Sequence, residues 1–465
     1  MMEQVPKSPF RDREENEKTP LAEEIKAVLG IFELTRRLRA KIPDKDIDKP
    51  RENVSESAGD QTAMTAYLMH YFLPLVQKEG LNLKYEKVLD MVLAHNIGDI
   101  GNTPPMPGVQ LDLDQRRDEI VATAKVFDGL PQRRGFNKDL FFAYAEYLGQ
   151  ETQEARFVRA LNGLETMLYV LSRPTDELRK SLVGGKGYAL EDYRERIEPF
   201  CREFPPLRKF YVRIERIFHQ RRYFAESRVY RNQVMRPEMA RSLFLASAPE
   251  FKKPRKIDVR DENDRLLRLQ RLKRHLRFGQ ETKSDEEHND TVPEHISALL
   301  YLERYFLPAI KADPRQREKE RLSLYGGNAK ILAHDMPEVI RGDVIAPLKT
   351  EQHSLQEWDD AVDIAVELAP RAEAFNEAFW RHLQEYEVDR YKLPFVGDSW
   401  RVKVYDVFEA QEYIYDPRTR GKLSKMQILP RDEVRRRIGG SLELFPVVKQ
   451  HFDELESRFK REGIR

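Results

Sequence analysis

The chain repeats itself at a spacing too long for stacked short repeats, and this limits its fold more than any other feature. Ala58-Gly-Asp-Gln-Thr-Ala-Met-Thr-Ala-Tyr-Leu-Met-His-Tyr-Phe-Leu-Pro74 aligns without a gap on Val292-Pro-Glu-His-Ile-Ser-Ala-Leu-Leu-Tyr-Leu-Glu-Arg-Tyr-Phe-Leu-Pro308, sharing Tyr-Leu and Tyr-Phe-Leu-Pro. After a loop five residues longer in the second segment, Leu93-Ala-His-Asn96 falls on Leu332-Ala-His-Asp335. Further on, Val158-Arg-Ala-Leu-Asn-Gly-Leu-Glu165 aligns with Val402-Lys-Val-Tyr-Asp-Val-Phe-Glu409. Segments of this size can each bury a core, so the expectation is two copies of one fold in a chain of 465 residues.

The repeated unit reads as helical. Apolar residues recur three or four apart at Leu21, Ile25, Val28, Ile31, Leu34 and Leu38, and again at Met64, Tyr67, Leu68, Tyr71, Phe72 and Leu75. Further helical runs cover 85–94, 114–127, 139–148 and 154–171, His295 opens another long one, and Leu266, Leu269, Leu272 and Leu276 form a stripe. Alternating strand patterns are nearly absent. The predicted class is all-α with two tandem domains: a frayed, polar 1–20, a first domain over 21–200, a connector over 201–261, and a second domain with a C-terminal extension over 262–465.

No apolar run reaches the roughly eighteen residues a membrane span requires, so no membrane association is expected. The charged N-terminus lacks the apolar centre of a secretory signal and Cys201 is the single cysteine, which points to the cytoplasm. Net charge is only +1, yet 201–280 holds 22 Lys+Arg against 9 Asp+Glu, a local +13. There Arg208, Phe210, Tyr211, Arg213, Phe218, Arg221, Arg222, Tyr223 and Phe224 interleave. Such a mixture could stack bases and neutralise phosphates. A helix that packs its aromatics inward and solvates its arginines has the same composition and is the simpler reading, so nucleic acid is not the favoured partner.

The chemistry gathers in Leu332-Ala-His-Asp-Met-Pro-Glu-Val-Ile-Arg-Gly-Asp343. The adjacent imidazole and carboxylate of His334 and Asp335 can reach one divalent cation, and Glu338, about one helical turn along, could handle its water. Alone, the dipeptide is more simply read as an ordinary helix end with surface charges. The altered copy changes the balance, because the alignment adds His295 opposite Gln61 and Asp406 opposite Asn162. Two nitrogens and two carboxylates suit Mn, Fe, Co, Ni or Zn better than calcium. In the first segment only His95 remains, and with Asn96 and Asn162 replacing carboxylates its divalent-ion affinity should collapse. Those two amides are expected to bond to each other or to backbone.

Glu294-His295, His334-Asp335 and Asp406, all on predicted helices, resemble the signature of the HD-domain metal-dependent phosphohydrolases. The stretch from His334 to Asp343, with Pro347 and Lys349 after it, is most similar to the bacterial 5′-deoxynucleotidase branch, and Asn53-Val-Ser-Glu56 resembles the approach to that branch's first histidine. In that register Ser57 rather than Gln61 replaces the ligand. The resemblance spans about residues 262–420, and 21–175 in decayed form. It implies two HD-type domains, the first degenerate, and one divalent metal on His295, His334, Asp335 and Asp406. It further implies that Glu338 assists the attacking water and that Asp343 lies near the substrate sugar or leaving group. A phosphate-holding arginine is implied before the first histidine, a part for which Arg268, Arg271, Arg274 and Arg277 compete. The long loop 311–327 departs from the branch and leaves its nucleotide specificity open. The implied activity is release of phosphate from a nucleoside 5′-monophosphate or similar small ester. The alternative is a protein that binds nucleotide or nucleic acid without turnover. An intrachain pseudo-dimer is expected, because members of the branch tend to pair.

Overall fold

The structure is a computed structural model and describes residues 58–97, 136–172, 197–220, 292–316, 322–335, 397–415 and 440–461, with single positions 127, 194, 352, 356, 359, 381, 382, 385 and 386. Among the described residues the secondary structure is helical, with no strand. In the N-terminal half the helices are α1 (Ala58–Lys78), α2 (Tyr85–Ala94), α3 (Phe136–Gly149), α4 (Gln153–Ser172), α5 (Glu198–Glu203) and α6 (Pro205–Gln220). In the C-terminal half they are α7 (Val292–Ala312), α8 (Leu324–Ala333), α9 (Asp398–Tyr415) and α10 (Pro446–Arg461). The expected helix 21–40, the Leu266 to Leu276 stripe and all of 114–127 except Phe127 lie outside the described residues.

The two segments that align without a gap are α1 and α7, each 21 residues long, and α2 and α8 are each 10. α1 and α7 are the central helices and pack on one another. Both are buried nearly all round, which requires apolar or small residues on every face. Their few charged groups, such as Glu294, His295 and Glu303 in α7, therefore need partners within the protein. Around α1 pack α2, α4 and α6; around α7 pack α8, α9 and α10. One continuous apolar core joins the halves.

Aligned residues make the same contacts across the central pair. The Tyr67 hydroxyl, from α1, donates to the Leu332 carbonyl at 2.5 Å, and the Tyr301 hydroxyl, from α7, donates to the Leu93 carbonyl at 2.5 Å. Other contacts between the halves differ in chemistry. Arg304 holds Asp90 in a bidentate pair, at 2.5 and 3.0 Å, while His70 stacks on Tyr325 and Asn328 donates to the Tyr85 hydroxyl at 3.0 Å.

The first part of the expected connector lies in the N-terminal core. α5 and α6 pack on α4, and α6 also on α1, with Phe210 against Phe72 at 5.2 Å between ring centroids. Phe210 and Tyr211 are buried, whereas Arg208 and Arg216 are exposed. The inward-packing reading therefore holds for Phe210 and Tyr211, and these two aromatics are not available to stack bases. Phe218 lies at a helix end whose side chains are not described, and Arg221, Arg222, Tyr223 and Phe224 fall outside the described residues.

α8 is held firmly at its start. Ser323 caps it by accepting from the Gly326 amide at 2.8 Å. Asp398 accepts from the Ser323 amide at 3.2 Å, and the fully buried Arg401 donates to the Ser323 carbonyl at 3.0 Å and to Glu303 at 2.6 Å. Gly327 leaves room for this pair, since a Cβ there would meet Arg401 Nη2 and Glu303 Oε1 and push them aside. The aligned places in the N-terminal half are taken by Met69 and Phe157, both fully buried, and α2 has no side-chain cap.

Candidate metal centre

Three helices bring the candidate ligands together. His295 lies in the first turn of α7, His334 is the C-cap of α8 with Asp335 following it, and Asp406 lies mid-way along α9. His295 Nε2 is 3.3 Å from Asp406 Oδ1 and 3.6 Å from Asp335 Oδ2; His334 Nε2 is 3.2 Å from Asp335 Oδ2. Donor atoms of His295, His334 and Asp406 lie within 4.8 Å of one another, so this cluster could hold a metal ion. Ligands sharing one ion at about 2.1 Å stand roughly 3–4 Å apart, which these separations approach.

The backs of both imidazoles are engaged. His295 Nδ1 meets Glu409 Oε2 at 2.6 Å with both side chains buried, and His334 Nδ1 meets the Ile331 carbonyl at 2.7 Å. A proton on each Nδ1 leaves the Nε2 lone pair facing the cluster, the tautomer that metal ligation requires. His334 Nε2 and Asp335 Oδ2 are buried without a hydrogen-bond partner, an arrangement that is costly unless a cation completes it. Burial lowers the basicity of His334, against the pull of Asp335 and Asp406. For Asp406 burial acts upward, but Lys403, at 2.6 Å, opposes it, and the carboxyl is held well below the usual range. The donor set and its orphaned atoms thus fit a divalent ion.

Three further residues belong to this surrounding. Glu409 and Lys403 stand one turn either side of Asp406 on the same face of α9, and Tyr386 lies edge-on to His334 at 5.5 Å between centroids. Glu409 could have been found in the sequence, because its aligned partner Glu165 is also a glutamate. Glu338 and Asp343 lie outside the described residues, as do Arg268, Arg271, Arg274 and Arg277.

The corresponding region of the N-terminal half is a network of neutral amides. Gln61 donates to Asn162 at 2.8 Å, where His295 meets Asp406, and Asn162 donates to the Tyr147 hydroxyl at 2.9 Å. Asn96 donates to Thr62 at 3.1 Å, so both asparagines have side-chain partners, and of the two expected alternatives the bond between them is not formed. His95 repeats the placement of His334, with Nδ1 at 2.6 Å from the Val92 carbonyl and Tyr147 edge-on at 5.8 Å. Glu165, hydrogen-bonded to Gln61, is pushed well above the usual carboxylate range by burial and by Asp60. It is Gln61, then, that occupies the place of His295; Ser57 is outside the described residues.

No family model, curated protein or solved structure matches the chain. Among the described residues no helix is long and apolar enough to cross a membrane.

Proposed function

We propose that the chain is a metal-dependent phosphohydrolase of the HD type, with two tandem HD-like helical domains of which the C-terminal one is active. Its substrate is a nucleoside 5′-monophosphate or a similar small phosphate ester. The observation that carries this reading is the pair of buried imidazoles, each engaged at Nδ1 from behind and each turning Nε2 towards the carboxylates of Asp335 and Asp406.

His295, His334, Asp335 and Asp406 would hold one divalent transition ion, Mn, Fe, Co, Ni or Zn. Such an ion, when bound, polarises a phosphoryl oxygen and makes water a better nucleophile at neutral pH. The chain supplies the remainder. Glu409 and the Ile331 carbonyl fix the imidazole tautomers, and Lys403 offsets part of the charge on Asp406. Glu338 takes the proton of the attacking water, and Asp343 meets the sugar or the leaving group; both roles rest on the family resemblance. In the N-terminal half, Gln61, Asn96 and Asn162 offer neutral amides where the other half has an imidazole and two carboxylates, so that half holds no ion and serves as a packing partner.

The test is metal content of the purified full chain together with phosphate release from a panel of nucleoside monophosphates and other small phosphate esters. One ion per chain and chelator-sensitive release of inorganic phosphate are expected. Bound metal with no release from any ester would leave a nucleotide-binding protein, and absence of metal binding would remove the site.

A further inference from the structure

The end of α8 presents His334 and Asp335, and a helix end leaves its last four carbonyls without intrahelical partners. Three consecutive carbonyls here are satisfied in different ways. The Lys330 carbonyl accepts from the His334 amide at 2.9 Å, and the Ile331 carbonyl meets His334 Nδ1 at 2.7 Å. The Leu332 carbonyl, two residues before His334, accepts from Tyr67, which belongs to the other half of the molecule and is fully buried.

We infer that Tyr67 is a positioning residue acting across the interface: the N-terminal half, which lacks the ligand set, holds the metal-binding turn of the C-terminal half in place through one hydroxyl. This rests on the metal-site reading above. A buried carbonyl deprived of its donor is costly. Without Tyr67, the Leu332 carbonyl competes with its neighbour at Ile331 for the proton on His334 Nδ1. Any shift of that proton turns the ring and misaims Nε2. The reciprocal bond from Tyr301 to the Leu93 carbonyl supports His95, which has no ion to hold. The two tyrosines are matched in burial, bond length and place in the interface, and Tyr301 differs in a second bond, to Thr62, which lies in the half without the ligand set, so the chain contains its own control for the metal-binding turn.

Tyr67→Phe and Tyr301→Phe are made in the full chain and compared with wild type. Titration of the metal-free proteins with Mn2+, read by the signal of free ion, should show affinity lowered about tenfold in Tyr67→Phe and unaltered in Tyr301→Phe. Thermal unfolding should fall in both variants, which separates positioning from general stability. Amide exchange at 332–335, measured without metal, should quicken only in Tyr67→Phe. Equal Mn2+ affinity in the two variants, or equal exchange at 332–335, overturns the inference. Wild-type protein that binds no Mn2+ overturns the metal-site reading itself, while the exchange comparison still reports whether Tyr67 orders the turn.

Discussion

Glu409 offers the sharpest test of how the centre is built. Its carboxylate is 2.6 Å from His295 Nδ1, and neither side chain is exposed to any useful extent. A hydrogen bond to a charged group is worth about 1.5–3 kcal/mol, and more is lost when a buried donor is left with no acceptor. Glu409→Gln keeps an acceptor of the same shape and removes the charge. Glu409→Leu removes both, leaving the Nδ1 proton orphaned in a dry interior. Loss of such an outer partner typically costs about 10–100-fold in metal affinity, or about 1.4–2.8 kcal/mol, in line with the hydrogen-bond figure. The glutamine variant should fall near the lower end and the leucine variant near the upper, with unfolding in denaturant confirming a loss of about 2 kcal/mol for leucine. Mn2+ titration of the metal-free proteins is the assay. If the leucine variant binds Mn2+ as tightly as wild type, Glu409 does not orient His295 and the reasoning fails.

Other outcomes follow from the same geometry. Asp335→Ala should abolish stoichiometric metal and phosphate release while the far-ultraviolet helical signal persists; retention of one ion per chain would remove Asp335 from the ligand set. Gly327→Ala should cost about 3 kcal/mol, because the new methyl forces apart the buried Glu303 and Arg401 pair, and an unchanged denaturation midpoint would show that the pair yields without strain. Acid sensitivity is also predicted. Burial pushes His70 down to about 3 and His95 down to about 4. Both folded values lie below the unfolded one, so their contribution is complete above about pH 6.5 and is lost as pH falls below it, at about 1.4 kcal/mol per unit for each. Denaturant stability that is flat between about pH 7.5 and 5.5 would contradict this.

The helical class was legible because periodicity is a local property. α2 was placed at 85–94 and is found there, and α3 and α4 extend the expected runs by one to three residues at an end. That His295, His334 and Asp406 come together was legible for another reason: against the aligned segment His295 and Asp406 are altered along with Asp335, while His334 keeps its match in His95, although all lie far apart in the chain. What escaped were partners fixed only by packing. Asn96 and Asn162 do not meet one another, because Thr62 and Tyr147 offer hydroxyls from other helices, and a sequence does not say which helix faces which. The same applies to Tyr67, which reads as one more apolar position on a helix stripe until the Leu332 carbonyl is seen opposite its hydroxyl. The aromatics of 201–220 could be read two ways because base stacking and core packing draw on the same side chains, and only the neighbours of Phe210 and Tyr211 decide between them.

The buried Glu303 and Arg401, set against Met69 and Phe157 in the aligned places, put two solutions to one packing problem in a single chain. Removing two charges from water is expensive, and well-packed apolar replacements commonly equal or exceed the stability of a buried ion pair. By that comparison the half with the ionic solution is the softer one, and a protease probing the metal-free protein should nick it before the half built on Met69 and Phe157. An ion that binds only the folded form adds its binding free energy to that half. Loading the site and hardening the softer half are then a single event.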